Sequence, residues 1–174
     1  MDDKTKYQTA IHESGHVFMF IYLGHTFTAV DITLTENRSR YGRVSGGKPT
    51  IEWDELINFI NTEIPIEEEK KMRNSIYNLI MICLAGYETE RVFEIYNPDK
   101  DNEFVSFDYS KVWDLAQAIS IRYDKSDTMT VVDHSRKELR NILLENKLML
   151  EKITNVLMKS DKVSFDILKE LVDA

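Results

Sequence analysis

Tyr7-Gln8-Thr9-Ala10-Ile11-His12-Glu13-Ser14-Gly15-His16-Val17-Phe18-Met19-Phe20 is the stretch on which the fold of this chain turns. It sits within a longer run, Lys4 to Leu23, that is apolar almost all the way round a helix and is broken off by Gly24, a favoured helix stop. A helix with no fully polar face is a buried, central one. The remaining elements are therefore expected to wrap around it.

Working outward, Phe27 to Thr35 is rich in β-branched residues with partial alternation and predicts a strand. Glu36 to Arg40 makes the turn, Tyr41-Gly42-Arg43-Val44 predicts a short return strand, and Gly46-Gly47-Lys48-Pro49 ends the pairing. Beyond that the pattern is helical. Helices are expected over Ile51–Ile60, from Pro65 to about Tyr96, from a Ser106 cap to Tyr123, over Ser135–Lys159, and from a Ser164 cap to Val172. Asn97-Pro98-Asp99 breaks the long one. No repeat or linker divides the chain, so residues 1–174 read as a single domain. The expected class is α+β, mainly helical: a central zinc-binding helix, a small β-hairpin or sheet near the N-terminus, then a helical bundle.

Composition narrows the partners. A hydrophobic fraction of 43% with 30% charged residues is that of a globular chain able to bury a core. The net charge of −8 argues against a nucleic-acid partner, which calls for a basic stripe. The mixed runs Glu67-Glu68-Glu69-Lys70-Lys71 and Asp99-Lys100-Asp101 read as solvated surface. Cys83 is the single cysteine, which rules out an intrachain disulfide and a four-cysteine zinc site. It lies in the apolar run Leu79 to Ala85 and reads as a buried structural thiol. The first residues are polar and no run is long enough to cross a bilayer. The expectation is a cytoplasmic protein without a membrane span.

Chemistry enters at His12-Glu13-Ser14-Gly15-His16. Helix positions i and i+4 share a face, about 6 Å apart along the axis. Two imidazoles so placed can both reach one zinc ion, each through a ring nitrogen at about 2.0–2.1 Å. Glu13, rotated about 100° from His12, is left to hydrogen-bond a water in the open coordination position. This is the H-E-x-x-H arrangement of metalloproteases. The same face carries Thr9, Met19, Phe20 and Leu23, so both rings would be largely desolvated. A buried polar group without a partner costs roughly 1–3 kcal/mol, which ligation removes. Gly15 takes a side chain off the neighbouring face and lets another element pack close.

Zinc needs a third protein ligand. His25 and His134 have no ligand spacing around them and read as surface or packing residues. Glu88 and Glu90 on the long helix and Asp108 at the head of the next are the acids that stand out. Asp108 begins a stripe with Val112, Leu115 and Ile119, while Glu90 shares a face with Ile76, Leu79 and Cys83. Spacing does not separate Asp108 from Glu90.

Taken together these landmarks resemble the peptidase domain of the membrane-anchored, ATP-dependent FtsH-type zinc proteases. Lys6 to Ile11 before the histidines resembles that family's entry into its zinc helix, and Thr28 to Leu34 with Tyr41 to Val44 its strand pair. Leu84-Ala85-Gly86-Tyr87-Glu88-Thr89-Glu90 is similar to its leucine-glycine-glycine-arginine-x-alanine-glutamate helix, with Gly86 and Glu90 in register. Ser106 to Ser110, followed by Ala116-Gln117-Ala118, resembles the segment that supplies the third zinc ligand. The resemblance implies His12, His16 and Asp108 on the metal, Glu13 on the water, and Glu90 orienting a histidine ring from outside the ligand set. Departures are plain: Ser106-Phe107 replaces glycine-alanine, Tyr87 replaces the arginine, and the proline-arginine-glycine after the first strand is absent. No P-loop is present, so the chain is expected to be the peptidase domain alone, without an AAA+ module or membrane anchor.

The expected function is that of a zinc metalloendopeptidase acting on unfolded or flexible polypeptide segments. Glu13 serves as general base toward a zinc-activated water, and Tyr41, Gly42, Arg43 and Val44 offer a strand edge to substrate. The alternative is a non-catalytic zinc-containing regulatory module derived from a peptidase. A protease using Glu88 or Glu90 as ligand is a third reading. The resemblance leaves a homo-oligomer or a separate ATPase partner open.

Overall fold

The computed structural model describes residues 3–32, 43–46, 51–97, 106–123 and 127–173. The expected class is found: a mainly helical α+β chain with a small antiparallel sheet.

Helix α1 spans Asp3–Tyr22, and from Ala10 to Phe20 it is buried at every residue except the half-buried His12. Its end follows the glycine. Gly24 has φ +75°, a left-handed conformation open to glycine at no steric cost. The turn lets His25 N–H donate back to the Phe20 carbonyl at 2.8 Å. The chain then enters β1, Ala29–Asp31, which pairs antiparallel with β2, Arg43–Ser45. The two segments expected to pair do so, with Val30 opposite Val44. Residues 33–42, including Tyr41 and Gly42, lie outside the described residues.

Helix α2, Trp53–Asn61, opens with a capping box in which the Glu55 carboxylate accepts the Glu52 N–H at 2.8 Å. Helix α3, Ile66–Val92, follows Pro65 and carries Glu67, Glu68 and Glu69 in its first turn, where they complement the helix dipole. It ends before Tyr96 because Phe93 leaves helical geometry and Glu94 takes φ 59°. Every residue from Leu79 to Glu90 is buried, so this half of α3 is a second central helix beside α1. Helix α4, Phe107–Tyr123, is capped as expected: Ser106 Oγ accepts the Tyr109 N–H at 3.0 Å.

Two expectations are corrected. The helix foreseen over Ser135–Lys159 is two helices, α5 at Thr128–Glu145 and α6 at Lys147–Lys159. The apolar pattern runs across the joint, with Leu143 and Leu150 both buried. Asn146 breaks it: its backbone leaves helical geometry and its side-chain amide donates to the Ile142 carbonyl at 2.8 Å. The second correction is a third strand. β3, Lys162–Ser164, pairs antiparallel with β1 on the side away from β2, just before α7, Phe165–Asp173. β1 is thus the middle strand, and the hairpin is part of a sheet ordered β2-β1-β3. Buried Val163 opposite Val30, and the Phe165 ring 5.0 Å from Phe27, seat it.

Around α1 the packing is layered. α3 lies on one side and α6 on another, with α4 and α5 covering α3. Cys83 is a buried thiol, pushed up to about 12 by burial, with the negative charge of Asp108 adding to the effect.

Candidate metal centre

α1 and α3 approach through two glycines. A Cβ at Gly15 would overlap Thr89 Oγ1 and lie 2.5 Å from the Ala85 carbonyl oxygen, so only glycine lets the helices meet at this point. On the other helix, a Cβ at Gly86 would fall on the His12 ring, overlapping Nε2 and Cε1 and lying 2.6 Å from Cδ2. The absent side chain of Gly86 is the space the imidazole occupies.

Each ring is held by its Nδ1. His12 Nδ1 meets Glu90 Oε1 at 2.5 Å, and His16 Nδ1 meets the Ile82 carbonyl oxygen at 2.8 Å. A backbone carbonyl can only accept, so His16 carries its proton on Nδ1; the Glu90 carboxylate assigns His12 the same tautomer. Glu90 is 3% exposed, and its other oxygen accepts from Gln8 Nε2 at 3.4 Å. The edge of the His12 ring is met by Tyr87, at 5.0 Å between centroids.

With both Nδ1 atoms committed, the two Nε2 lone pairs face each other 3.2 Å apart. Two acceptors so close repel unless a cation lies between them. Two nitrogens about 2.05 Å from a tetrahedral zinc would be about 3.3 Å apart, close to the spacing found. Asp108, from the first turn of α4, brings Oδ2 to 3.8 Å from His16 Nε2. The ligand atoms of His12, His16 and Asp108 all lie within 4.8 Å of one another, close enough to hold a metal ion. The residues present therefore fit a divalent metal.

The acids that spacing left together are now parted. Glu90 bonds a histidine from behind, while Asp108 faces the two Nε2 atoms. Asp108 stands at the rim, its side chain 33% exposed, though the stripe it begins is buried. Glu88 points elsewhere, to arginines of α3 and α5, which removes it as a ligand. Glu13 is 5% exposed, on the buried part of α1. Of the strand residues, Arg43 and Val44 stand in β2. His134 is exposed beside Glu138, and His25 is half-buried with its ring edge-on to Phe20; among the described residues neither belongs to a group of three that could hold a metal.

Sequence reasoning missed the Ile82 carbonyl, for which no side-chain signal exists, and the ring contact of Tyr87. The role of Gly86 was legible in one respect. Gly86 and Glu90 stand one turn apart on α3, as His12 and His16 do on α1, pairing a gap and an acceptor with one histidine. Replacing Glu90 by alanine should weaken metal binding about 10–100-fold, the usual cost of losing a partner behind a ligand histidine. Competition against a chromophoric chelator measures it.

No known protein family matches the chain, and no curated protein does. What the centre does is therefore read from its geometry. Among the described residues no helix is long and apolar enough to cross a membrane.

Proposed function

We propose that the chain is a zinc-dependent metallopeptidase of the FtsH type, hydrolysing peptide bonds in unfolded or flexible polypeptide. The observation that carries the reading is the pair of imidazoles whose Nδ1 atoms are both engaged while their Nε2 atoms converge 3.2 Å apart beside Asp108.

His12, His16 and Asp108 would hold the zinc. When bound there, the metal supplies Lewis acidity and brings the pKa of a water down toward neutrality. Glu90 and the Ile82 carbonyl keep both rings in the ligating tautomer and fix their planes. Glu13 sits one residue after the first ligand on a helix whose neighbours exclude solvent. Its carboxylate takes the proton from the attacking water and delivers it to the leaving amine. Among the described residues the group holds three donors, which suits a site with a coordination position left open, since structural zinc sites are closed by four.

Substrate would add as an extended strand along the outer edge of β2, at Arg43 and Val44, because both edges of β1 are taken. Main-chain pairing of this kind asks for exposed backbone rather than a particular sequence, hence flexible substrates. The proposal places the chain in the cytoplasm, in keeping with its single buried thiol.

Metal analysis of the purified chain, with a casein cleavage assay with and without chelator, tests the reading. About one zinc per chain is expected, with cleavage abolished by chelator and restored by zinc. A chain that arrives metal-free and takes none up would end the metal reading. Firm zinc binding with no cleavage of any unfolded protein would instead favour a regulatory module.

A further inference from the structure

On the side of α3 turned away from the ligands lies a second charged assembly. Glu88 stands about 160° round the helix from both Gly86 and Glu90. It is 0% exposed, and three arginines converge on it. Arg91 Nη1 donates to Oε1 at 2.9 Å, and Arg140 donates to Oε2 through Nε at 3.0 Å and Nη2 at 2.6 Å. Arg136 Nε lies 3.7 Å from Oε1. Arg136 and Arg140 belong to α5, so this one carboxylate ties α5 to α3.

Two of these arginines reach the metal centre through aromatic rings. Arg136 lies over the Tyr109 ring, 5.6 Å from its centroid, and Tyr109 directly follows Asp108 in the first turn of α4. Arg91 lies 3.9 Å over Tyr96, whose ring is 6.0 Å from Tyr87, whose ring in turn edges His12 at 5.0 Å. Both arms start at Glu88. One ends on a ligand ring and the other on the helical turn that carries the third ligand.

A ligand set drawn from two helices needs those helices at a fixed spacing. His12 and His16 share α1, so their separation is set by the helix itself. Asp108 comes from α4, and its oxygen already stands farther from His16 Nε2 than the two histidine nitrogens stand from each other. It is the ligand most exposed to a shift of its helix. We propose that Glu88 is a positioning residue for the metal centre: by gathering Arg91, Arg136 and Arg140 it fixes the rings that seat His12 and hold the turn bearing Asp108. This rests on the metal reading above and adds a residue that touches neither metal nor substrate.

Cobalt(II) is the probe, since its visible bands report coordination geometry as well as occupancy. Native chain, Glu88→Gln, Arg136→Gln and Arg136→Lys are titrated with cobalt(II) and their melting temperatures recorded. Glu88→Gln and Arg136→Gln should each weaken cobalt binding about tenfold and alter the band shape, as loss of an orienting partner does. Arg136→Lys, which keeps the cation over Tyr109, should recover part of both. Should Glu88→Gln fail to fold, Arg136→Gln carries the test, because Arg91 and Arg140 still pair Glu88. Lowered melting temperatures with native affinity and native bands would overturn the inference alone. A native chain that binds no cobalt would overturn the metal reading and this inference with it.

Discussion

An alanine at position 86 should strip the centre of its metal while leaving the chain folded. The added methyl would fall on the ring of His12, which cannot retreat. Its Nδ1 is tied to Glu90 at 2.5 Å and Tyr87 stands against its edge. The ring must swing out of its plane of ligation, taking Nε2 away from its 3.2 Å partner on His16. Overpacking of this kind costs about 1–3 kcal/mol, against a domain stability of roughly 5–15 kcal/mol. The fold should survive. Metal affinity should fall at least about a hundredfold, the upper end of what loss of an orienting partner costs, because here the ligand itself moves. Zinc competition and a thermal melt on the same sample separate the two effects. Native affinity in Gly86→Ala would mean that His12 does not ligate from the position described.

The second large effect is expected at Glu13, and it should run the other way: metal kept, turnover lost. Glutamine has the same shape and fits the same buried place on α1, but its amide cannot accept a proton. A general base contributes about 10²–10⁴-fold, so on the proposed peptidase reading Glu13→Gln should cut hydrolysis of an unstructured protein by that factor. Metal content and affinity should stay native, since His12, His16 and Asp108 are all unchanged. Activity within a few-fold of native would remove Glu13 from the chemistry. Loss of zinc would show that its carboxylate belongs to the site's structure instead. Set beside Gly86→Ala, the variant separates holding the metal from using it.

Much of this was legible because the decisive residues lie close together in the chain. The helix carrying His12 and His16 followed from one apolar run and one glycine, and its burial from the lack of a polar face. Ser106 as a cap followed from the same local logic. What stayed hidden depends on partners far away in sequence. β3 has only three residues, too short for alternation to mark, and its pairing with β1 is made across more than a hundred positions. Asp108 and Glu90 could not be ranked by spacing because each shares a helix face with buried apolar residues; only their separate distances to His16 Nε2 and His12 Nδ1 divide them. Glu88 lay on the same turn as Glu90, and nothing short of the placement of α5 showed that it meets arginines. The break at Asn146 was missed because hydrophobic periodicity continues across it, from Leu143 to Leu150, while only the backbone at Asn146 leaves helical geometry.

The place of β3 also sets an order of events. β1 gains its second neighbour from residues 162–164, and α1 leans on α6, with Lys6 clasping Asp161 at 2.7 Å. The histidines emerge well before the surfaces that enclose their helix, which come only near residue 160. Contacts so distant along the chain form slowly, since a long loop must close before they repay its entropy. A nascent chain halted before α6 would carry both imidazoles and the glycine gap for one of them, yet lack one wall of the core that holds them still. The geometry that brings His12, His16 and Asp108 within reach of one metal ion is, on this topology, acquired late.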